Sequence, residues 1–425
     1  MSKKVLIITY YWPPAGGPGV QRWLKFVKYL PHFNVDPIVY CPENANYPII
    51  DPSMINEVPQ SVTVLKQPIR EPFKLAGKIS ESSTKQISSG LIPKKEKQGI
   101  VDKLLLFARG NFFIPDARKN WIKPSTKFLK QFIDEHKIDT IITTGPPHSL
   151  HLIGLQLKQQ LQINWIADFR DPWTTIGYHK ELKLTKFAKL KHANLERKVL
   201  NSADQVVVTT RLTKKEFKSK TNQPVEVITN GYDYQSNFII PKDTKFTIAH
   251  IGSLLTERNP KVLWQVLKDL VDDNTQFAQD LKLKFLGVVS DDVLESINQA
   301  GLSDYVDNHG YQHHDKAIKE QLSSQLLLLL EIDSEESKAI LPGKMFEYLI
   351  SGTPIIAIGP KGSDVEVILK QTNTGYYFSH NDREALKNRI LDCYKRYQNE
   401  ELKTHPIGIE AYSRKALTEK LVKLL

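Results

Sequence analysis

Short apolar runs alternate with segments of helical periodicity along almost the whole chain, and this alternation restricts the fold more than any other feature. Apolar, β-branched runs at residues 5–9 and 140–144 are each followed by a turn and a helical segment. The same order resumes after a polar stretch at 235–245, from the run at 246–251 to the run at 355–358. Strands that alternate with helices form parallel sheets with functional loops at their carboxyl ends. The sequence therefore predicts an α/β chain with doubly wound parallel sheets.

The length of the chain, 425 residues, is sufficient for two domains with separate cores. The stretch 235–245 is polar, lacks a helical period and contains Pro241, so we interpret it as the linker. This places one domain at 1–235 and another at 236–409. The tail 410–425 is amphipathic, and we expect it to pack against the protein.

Cysteine content and hydropathy favour a cytoplasmic protein. Cys41 and Cys393 match no metal or redox spacing, and so few cysteines indicate a reducing compartment. The apolar run near the amino terminus is short and β-branched, with no small-residue cleavage site after it, so we interpret it as a strand rather than a signal peptide. No run approaches the roughly 18–20 apolar residues of a membrane span.

The net charge of +11 is concentrated in one segment, 66–130, which contains fifteen lysines and arginines against five acidic residues. Such a segment implies an anionic partner. Apolar residues are interleaved at 104–107 and 112–113, and no nucleic-acid module is recognisable, so docking on an anionic membrane fits better than nucleic acid. A solvated loop is the alternative. We expect 78–98, rich in lysine and serine, to be a mobile excursion.

The segment LPGKMFEYLISGTP, residues 341–354, predicts a turn, a short helix and a stop before a buried strand. Gly343 suits the start of that helix, and a helix start after a strand attracts phosphate. Lys344 adds a positive charge, and Glu347, one turn further, could accept hydrogen bonds from a ribose. The pattern is typical of half of a nucleotide-sugar site.

Two glycine turns repeat the strand–turn–helix layout. Gly16 and Gly17 precede the first helix, where either ligand contact or the needs of a tight turn would explain them, since the dinucleotide-binding spacing is absent. In the second half, Ser253 follows a glycine, and Arg258 could clamp a diphosphate or simply lie on the surface.

Two further loops follow predicted strands of the first half. His148, after Gly145-Pro-Pro, could hydrogen-bond a sugar hydroxyl or be structural. The loop Asp168-Phe-Arg170-Asp171 offers carboxylates for a general base or for acceptor binding. An internal Asp–Arg ion pair that braces the loop is equally consistent with the pattern.

Taken together, these motifs resemble a glycosyltransferase of the GT-B fold and, within it, the large family 4 of retaining nucleotide-sugar transferases. The resemblance covers nearly the whole chain in the right order. The matching segments are YYWPPAGGPG, TTGPPH, ADFRDPW, NGYD, IGSL, PGKMFEY and SGTP.

The resemblance implies an acceptor domain at 1–235 and a donor domain at 236–409, two Rossmann-like domains facing a central cleft, with the tail 410–425 crossing back to the first. It implies that Gly16 and Gly17 line the cleft and that His148 contacts the transferred sugar. By the same resemblance Arg258 grips the diphosphate and Glu347 binds ribose. Members generally need no metal, in agreement with the missing metal-ligand motif.

Two positions depart from the family pattern. Ala339 stands where many members carry the first of two glutamates, and Ser253 stands where many carry arginine. Lys344 is the residue we expect to supply the missing charge. Ser253 and Gly343 belong with it to the predicted donor-binding residues.

The resulting hypothesis is transfer of a sugar from a UDP- or GDP-linked donor to a glycan or lipid-linked acceptor in bacterial cell-surface polysaccharide synthesis. His148 and Asp171 would be catalytic, Asp168 and Arg170 would bind the acceptor, and no metal or other cofactor would be used. Residues 66–130 would hold the enzyme on the inner face of the plasma membrane, without nucleic acid. The alternatives are another GT-B enzyme, such as a nucleotide-sugar epimerase, and a degenerate scaffold that binds a membrane or partner.

Overall fold

The computed structural model describes residues 2–71, 100–177, 179, 182–233 and 240–425. The chain divides into two compact units, Met1–Asn230 with Arg414–Leu425, and Gly231–Ser413. Several predictions fall on residues outside the described ranges. They are the excursion at 78–98, the rest of the basic segment between 72 and 99, and part of the linker 235–245.

Parallel strands form the sheet of the first unit, seven of them within the described ranges. They are β1 (Lys3–Ile8), β2 (Val35–Pro42), β3 (Thr63–Gln67), β4 (Thr140–Gly145), β5 (Asn164–Phe169), β6 (Gln205–Val208) and β7 (Val225–Val227). Their order is β3-β2-β1-β4-β5-β6-β7, so the direction of winding reverses between β1 and β4. The helices among the described residues before Gly231 are α1 (Pro18–Tyr29), α2 (Ile100–Phe112), α3 (Ile122–His136), α4 (Ser149–Gln160), α5 (Lys186–Ser202) and α6 (Arg211–Lys218).

Helices cover both faces of this sheet. Because successive side chains of a strand point to opposite sides, neighbouring residues of β1 enter different cores. Leu6 and Ile8 belong to the core under α3, α4 and α5. Val5 and Ile7 belong to the core under α1. The near-continuous apolar strands of the sequence follow from this double coverage.

The second unit repeats the design with six parallel strands among the described residues. They are β8 (Phe246–Ile251), β9 (Leu281–Leu286), β10 (Val306–Gly310), β11 (Leu326–Leu330), β12 (Ile355–Ile358) and β13 (Gly375–Phe378). The order β10-β9-β8-β11-β12-β13 reverses between β8 and β11. The helices are α7 (Lys261–Asp273), α8 (Thr275–Asp280), α9 (Asp291–Gln299), α10 (His314–Ser323), α11 (Gly343–Leu349), α12 (Asp364–Thr372) and α13 (Arg383–Gln398).

The last helix, α14 (Arg414–Val422), returns to the first unit. Its Leu417 and Leu421 share a core with Trp23 of α1. Lys3 donates a hydrogen bond to the carbonyl of Leu425, which ties the carboxyl terminus to the first strand.

The predicted class, two doubly wound parallel sheets with intervening helices, is confirmed. Two strands, β7 and β13, were not predicted, because they are only three and four residues long at sheet edges. The lysine-rich helix α5 begins at Lys186, because the Thr185 hydroxyl caps it by accepting from the N–H of Ala188 at 3.2 Å.

The described parts of the segment 66–130 are not a solvated loop throughout. Part of it forms α2 and α3, and Leu106, Ile122 and Leu129 are buried. Arg118 is also buried, and its Nε lies 3.0 Å from the carboxylate of Glu71. No helix of the described residues combines the length and apolarity needed to cross a bilayer.

Candidate active site

The reversal point of the second sheet brings together the carboxyl ends of β8 and β11, the position where open α/β sheets bind ligands. Gly252 follows β8 with a φ of 104°, and Gly287 follows β9 with a φ of 130°. A Cβ atom on Gly287 would lie 2.6 Å from the carbonyl carbon and oxygen of Gly252. Glycine is therefore required at 287 for the two turns to lie backbone against backbone.

Helix α11 is fastened to the end of β8 by two of its side chains. The hydroxyl oxygen of Tyr348 accepts from the N–H of Ile251 at 2.9 Å. The Lys344 Nζ donates to the carbonyl of Ile251 at 2.9 Å and lies 3.0 Å from Nε2 of His250. The predicted donor residue Lys344 thus has a defined position at the reversal point.

His250, which sequence reasoning overlooked, orients that lysine. Its ring is fully buried, and Nδ1 lies 3.0 Å from the carbonyl of Leu328. Since a carbonyl only accepts, Nδ1 carries the proton and Nε2 is left to accept from Lys344. Burial, together with the charge of Lys344, lowers the pKa of His250 well below its usual value, so the ring is neutral.

Arg258 and Lys344 form a pair of neighbouring cations. Burial, reinforced by the charge of Arg258, lowers the pKa of Lys344 to about 7. Arg258 lies in a 3-10 turn, Thr256–Arg258, and its half-buried guanidinium makes no hydrogen bond or ion pair with any residue in the described ranges. Because the charges of Arg258 and Lys344 repel each other, an anion bound between them would stabilise both.

A second overlooked residue, Glu331, directly follows β11. Its side chain is 4% exposed, and its carboxylate accepts from Ser363 Oγ at 2.8 Å and from the Tyr377 hydroxyl at 2.7 Å. Burial raises the pKa of Glu331 to about 7. The sequence did carry a signal, since this is a lone acid after five leucines at the carboxyl end of a predicted strand.

The remaining predicted donor residues line the same region. Glu347 is half-buried, with Oε2 3.4 Å from Gln321 Nε2 and Oε1 3.9 Å from His314 Nε2. Ser253 is exposed, and a Cβ on Gly343 would meet no atom within 4 Å, so the space before α11 is open. Because α11 has only seven residues, we give more weight to the two cations than to its amino terminus.

In the first unit the glycine turn packs closely on another loop. The N–H of Gly16 donates to the carbonyl of Ile49 at 2.9 Å, and a Cβ on Gly16 would lie 2.9 Å from Ile49 Cγ2. Gly17 precedes α1 with a φ of 88°. Close packing and a positive φ explain both glycines without a ligand, so their cleft role stays a prediction.

Asp168 requires a correction, because the structure contradicts its assignment to acceptor binding. The side chain is 1% exposed, and its carboxylate accepts from Arg22 at 2.7 and 3.2 Å, Trp23 Nε1 at 2.9 Å and Thr144 Oγ1 at 2.8 Å. The arginine charge and these hydrogen bonds hold the pKa of Asp168 below its ordinary value despite burial. The internal ion pair is real, but its partner is Arg22 of α1 rather than Arg170.

Arg170 and Asp171 lie just beyond β5. Arg170 donates to the backbone carbonyls of Gly145 and Pro146, and its guanidinium lies 5.4 Å from the ring of Tyr11. It therefore braces the loops after β1, β4 and β5. Asp171 is half-buried, and burial raises its pKa.

His148 directly precedes α4 and is 4% exposed. Its ring stacks on Trp173 with centroids 4.8 Å apart. Both ring nitrogens lack a hydrogen-bond partner within the described part of the chain, and burial lowers the pKa well below its usual value. A neutral imidazole with unused nitrogens suits a hydroxyl ligand.

The predicted residues thus form two sets, one at the reversal point of each sheet. His148, Arg170 and Asp171 belong to the first unit, and Arg258, Lys344 and the other donor residues belong to the second. In the described residues no three histidine, cysteine, aspartate or glutamate side chains are grouped so that they could hold a metal ion.

Several solved structures share the architecture of this chain over nearly its whole length. A glycosyltransferase from Rickettsia africae aligns with 100% of this chain and 97% of its own, at a TM-score of 0.60 and 14% identity. TarM of S. aureus, in complex with fondaparinux, alpha-GlcNAc-glycerol and UDP, aligns with 99% of this chain and 99% of its own, at a TM-score of 0.56 and 13% identity. Anabaena HepE, in complex with UDP-glucose, aligns with 99% of this chain and 96% of its own, at a TM-score of 0.52 and 14% identity. At these identities the likeness establishes the fold.

Family sequence models match most of the chain. The model described as "Glycosyltransferase Family 4" matches residues 94–236, and the one described as "Glycosyl transferases group 1" matches residues 235–405. A search of curated proteins gave no significant match. The two adjoining matches and the shared architecture agree with the motifs, and the chain belongs to the family 4-like glycosyltransferases of the GT-B fold.

Proposed function

We propose that the enzyme transfers a hexosyl group, with retention, from a UDP- or GDP-linked donor to a hydroxyl of a glycan or lipid-linked acceptor. The pairing of Arg258 with Lys344 at the reversal point of the second sheet carries this proposal. A nucleoside diphosphate brings the negative charge that would relieve the repulsion between these cations. The structures of TarM with UDP and of HepE with UDP-glucose support a uridine nucleotide as the first donor to test.

The chemistry requires the bond between C1 of the sugar and the β-phosphate oxygen to break, with its electron pair leaving on the diphosphate. The acceptor oxygen then forms the new bond to C1 on the same face and loses its proton. Arg258 and Lys344 would stabilise the charge that develops on the leaving group. We assign the proton to Asp171, because burial raises the pKa of that carboxylate toward the range useful for a base. Neutral His148 would hydrogen-bond the sugar, and we expect no metal cofactor.

Bacterial cell-surface polysaccharide synthesis at the inner face of the plasma membrane fits a lipid-linked acceptor, and we include it in the proposal. The sequence placed the membrane contact on 66–130. Of that segment's described part, Arg118 and several apolar residues are committed to the fold. The described residues outside 66–130 offer a further candidate contact surface on helix α5.

Titration calorimetry with UDP and GDP tests the donor site directly. Glu347→Ala should weaken binding by about ten- to hundredfold, since two ribose hydroxyls would lose a charged acceptor worth about 1.5–3 kcal/mol. The matched control is Glu384→Ala, which removes an exposed glutamate of the same unit. Unchanged affinity in the Glu347 variant would refute the nucleotide-site assignment.

Product analysis with the donor alone separates transfer from epimerisation. A transferase leaves most of the nucleotide sugar intact until an acceptor is added, whereas an epimerase converts it. Failure of both nucleotides to bind would instead favour a non-catalytic scaffold.

A further inference from the structure

Helix α5 presents an exposed face that combines apolar and cationic side chains. Phe187 is 73% exposed and Leu190 is 65% exposed. At 100° per residue they lie about 60° apart on the helix, so they form one apolar patch. The opposite face, with Ala188, His192 and Val199, is buried against the unit.

Cations flank this patch on both sides. The exposed basic residues of α5 are Lys186, Lys189, Lys191, Arg197 and Lys198. None of these five side chains forms an ion pair within the described ranges. The one acid of the helix, Glu196, is buried and accepts hydrogen bonds from Thr174 and Lys220. The exposed face is therefore cationic without any opposing carboxylate of its own.

The amino terminus of α5 is held rigidly. The Oδ1 of Asn111 accepts from the N–H of Thr185 at 2.8 Å, and Leu106 of α2 packs with Leu182. Phe112, the residue after Asn111, is 66% exposed beside this junction. The patch is thus displayed by fixed secondary structure rather than by a loose loop.

We propose that this face of α5 docks the enzyme on an anionic lipid bilayer. Helices that lie in a membrane interface carry aromatic and leucine side chains on one strip and lysines beside it. The apolar side chains would enter the acyl boundary while the lysines contact lipid phosphates. This inference deepens the proposed function by giving its membrane contact a defined surface on α5.

The observations disfavour two other occupants. A second copy of this chain would bring an identical row of cations against the first, and like charges oppose such pairing. A nucleic-acid duplex would contact the lysines through its phosphates but would give Phe187 and Leu190 no apolar environment, since its bases are already stacked on one another.

Vesicle sedimentation of the full chain tests the docking. We expect binding to phosphatidylcholine vesicles that contain phosphatidylglycerol and much weaker binding to phosphatidylcholine alone. Phe187→Ser with Leu190→Ser should reduce the partition coefficient at least about tenfold, because both side chains lose burial in the acyl region. Lys186→Ser with Lys191→Ser should reduce it about thirtyfold at low salt and much less at high salt.

The matched controls remove equally exposed groups of the second unit, Tyr311→Ser with Ile407→Ser and Lys370→Ser with Lys403→Ser. Each control should bind vesicles like the unmodified protein. The inference is overturned if the unmodified protein ignores anionic vesicles, or if the α5 variants bind as well as their controls. The inference would also be overturned if the unmodified protein formed dimers or bound duplex DNA without binding vesicles, and if the α5 variants lost that dimerisation or DNA binding.

Titration of the same α5 variants with UDP keeps this result separate from the donor site. Unchanged melting temperature and UDP affinity, with lost vesicle binding, would support docking through α5. A protein that binds vesicles but no nucleotide would retain this inference and refute the proposed function.

Discussion

The Lys344 Nζ lies 3.0 Å from Nε2 of His250, a buried imidazole whose other nitrogen donates to a backbone carbonyl. The histidine therefore acts as a fixed acceptor that directs an ammonium toward the reversal point of the second sheet. We regard His250 as a positioning residue, because in the described structure it contacts the lysine rather than open space.

Removal of the Lys344 charge should weaken donor binding. Lys344→Met keeps most of the side-chain volume, and we expect UDP affinity to fall about ten- to hundredfold, the value of a charge-assisted hydrogen bond of about 1.5–3 kcal/mol. Titration calorimetry measures this change. Lys361→Met, which alters an exposed lysine of the same unit, is the control. Equal affinities for both variants would show that the diphosphate does not use Lys344.

Donor affinity should also depend on pH through the same lysine. Burial and Arg258 lower the pKa of Lys344 to about 7, so the free enzyme loses this charge as pH rises through that value. UDP binding should therefore be strongest below pH 7 and weaken above it. The ratio of dissociation constants between wild type and Lys344→Met cancels the titration of UDP itself. A ratio that stays constant across this range would contradict the prediction.

The buried carboxylate of Asp168 should matter for stability. Asp168→Asn leaves Arg22 buried without its counter-ion, and loss of one partner of a buried pair costs about 3–5 kcal/mol. Urea unfolding should show this loss, and Asp134→Asn, an exposed change on α3, should show almost none. Because the double change Arg22→Met with Asp168→Leu removes both charges, it should be less destabilising than Asp168→Asn alone. A fully stable Asp168→Asn protein would restore the acceptor-binding assignment.

Glu331 should make the stability of the second unit sensitive to pH. Its folded pKa, about 7, is above that of an unfolded glutamate, so the folded state holds the proton more tightly. The stabilisation is complete below the unfolded pKa and is lost as pH rises toward 7, at up to about 1.4 kcal/mol per pH unit. Melting temperatures of Glu331→Gln should fall less over this interval than those of wild type. Parallel curves for the two proteins would contradict this.

The chain order of strands and helices could be read from the sequence because both sheets are covered on two sides. Strands such as β8 and β12 are then continuous apolar runs that differ from their polar turns, and the structure gives them the predicted bounds. Short edge strands lack that contrast, so β7 and β13 were missed.

Motif spacing also located the loops that carry the candidate site, since carboxyl ends of parallel strands converge wherever a sheet reverses direction. Spacing could not assign the partner of each charged side chain. The position of Asp168 after a strand predicts contact with a ligand, yet Arg22, distant in sequence, occupies its carboxylate. From the sequence, His250 and Glu331 belong to ordinary buried strands. Only their hydrogen bonds in the structure identify them as residues of the candidate site.

The sequence by itself determined the fold class, because hydrophobic periodicity and turn chemistry are local properties. Only the tertiary structure decided which polar groups are satisfied internally and which remain exposed. That distinction depends on contacts between residues far apart in the chain, such as Lys344 with Ile251, and on which side of α5 the rest of the unit covers.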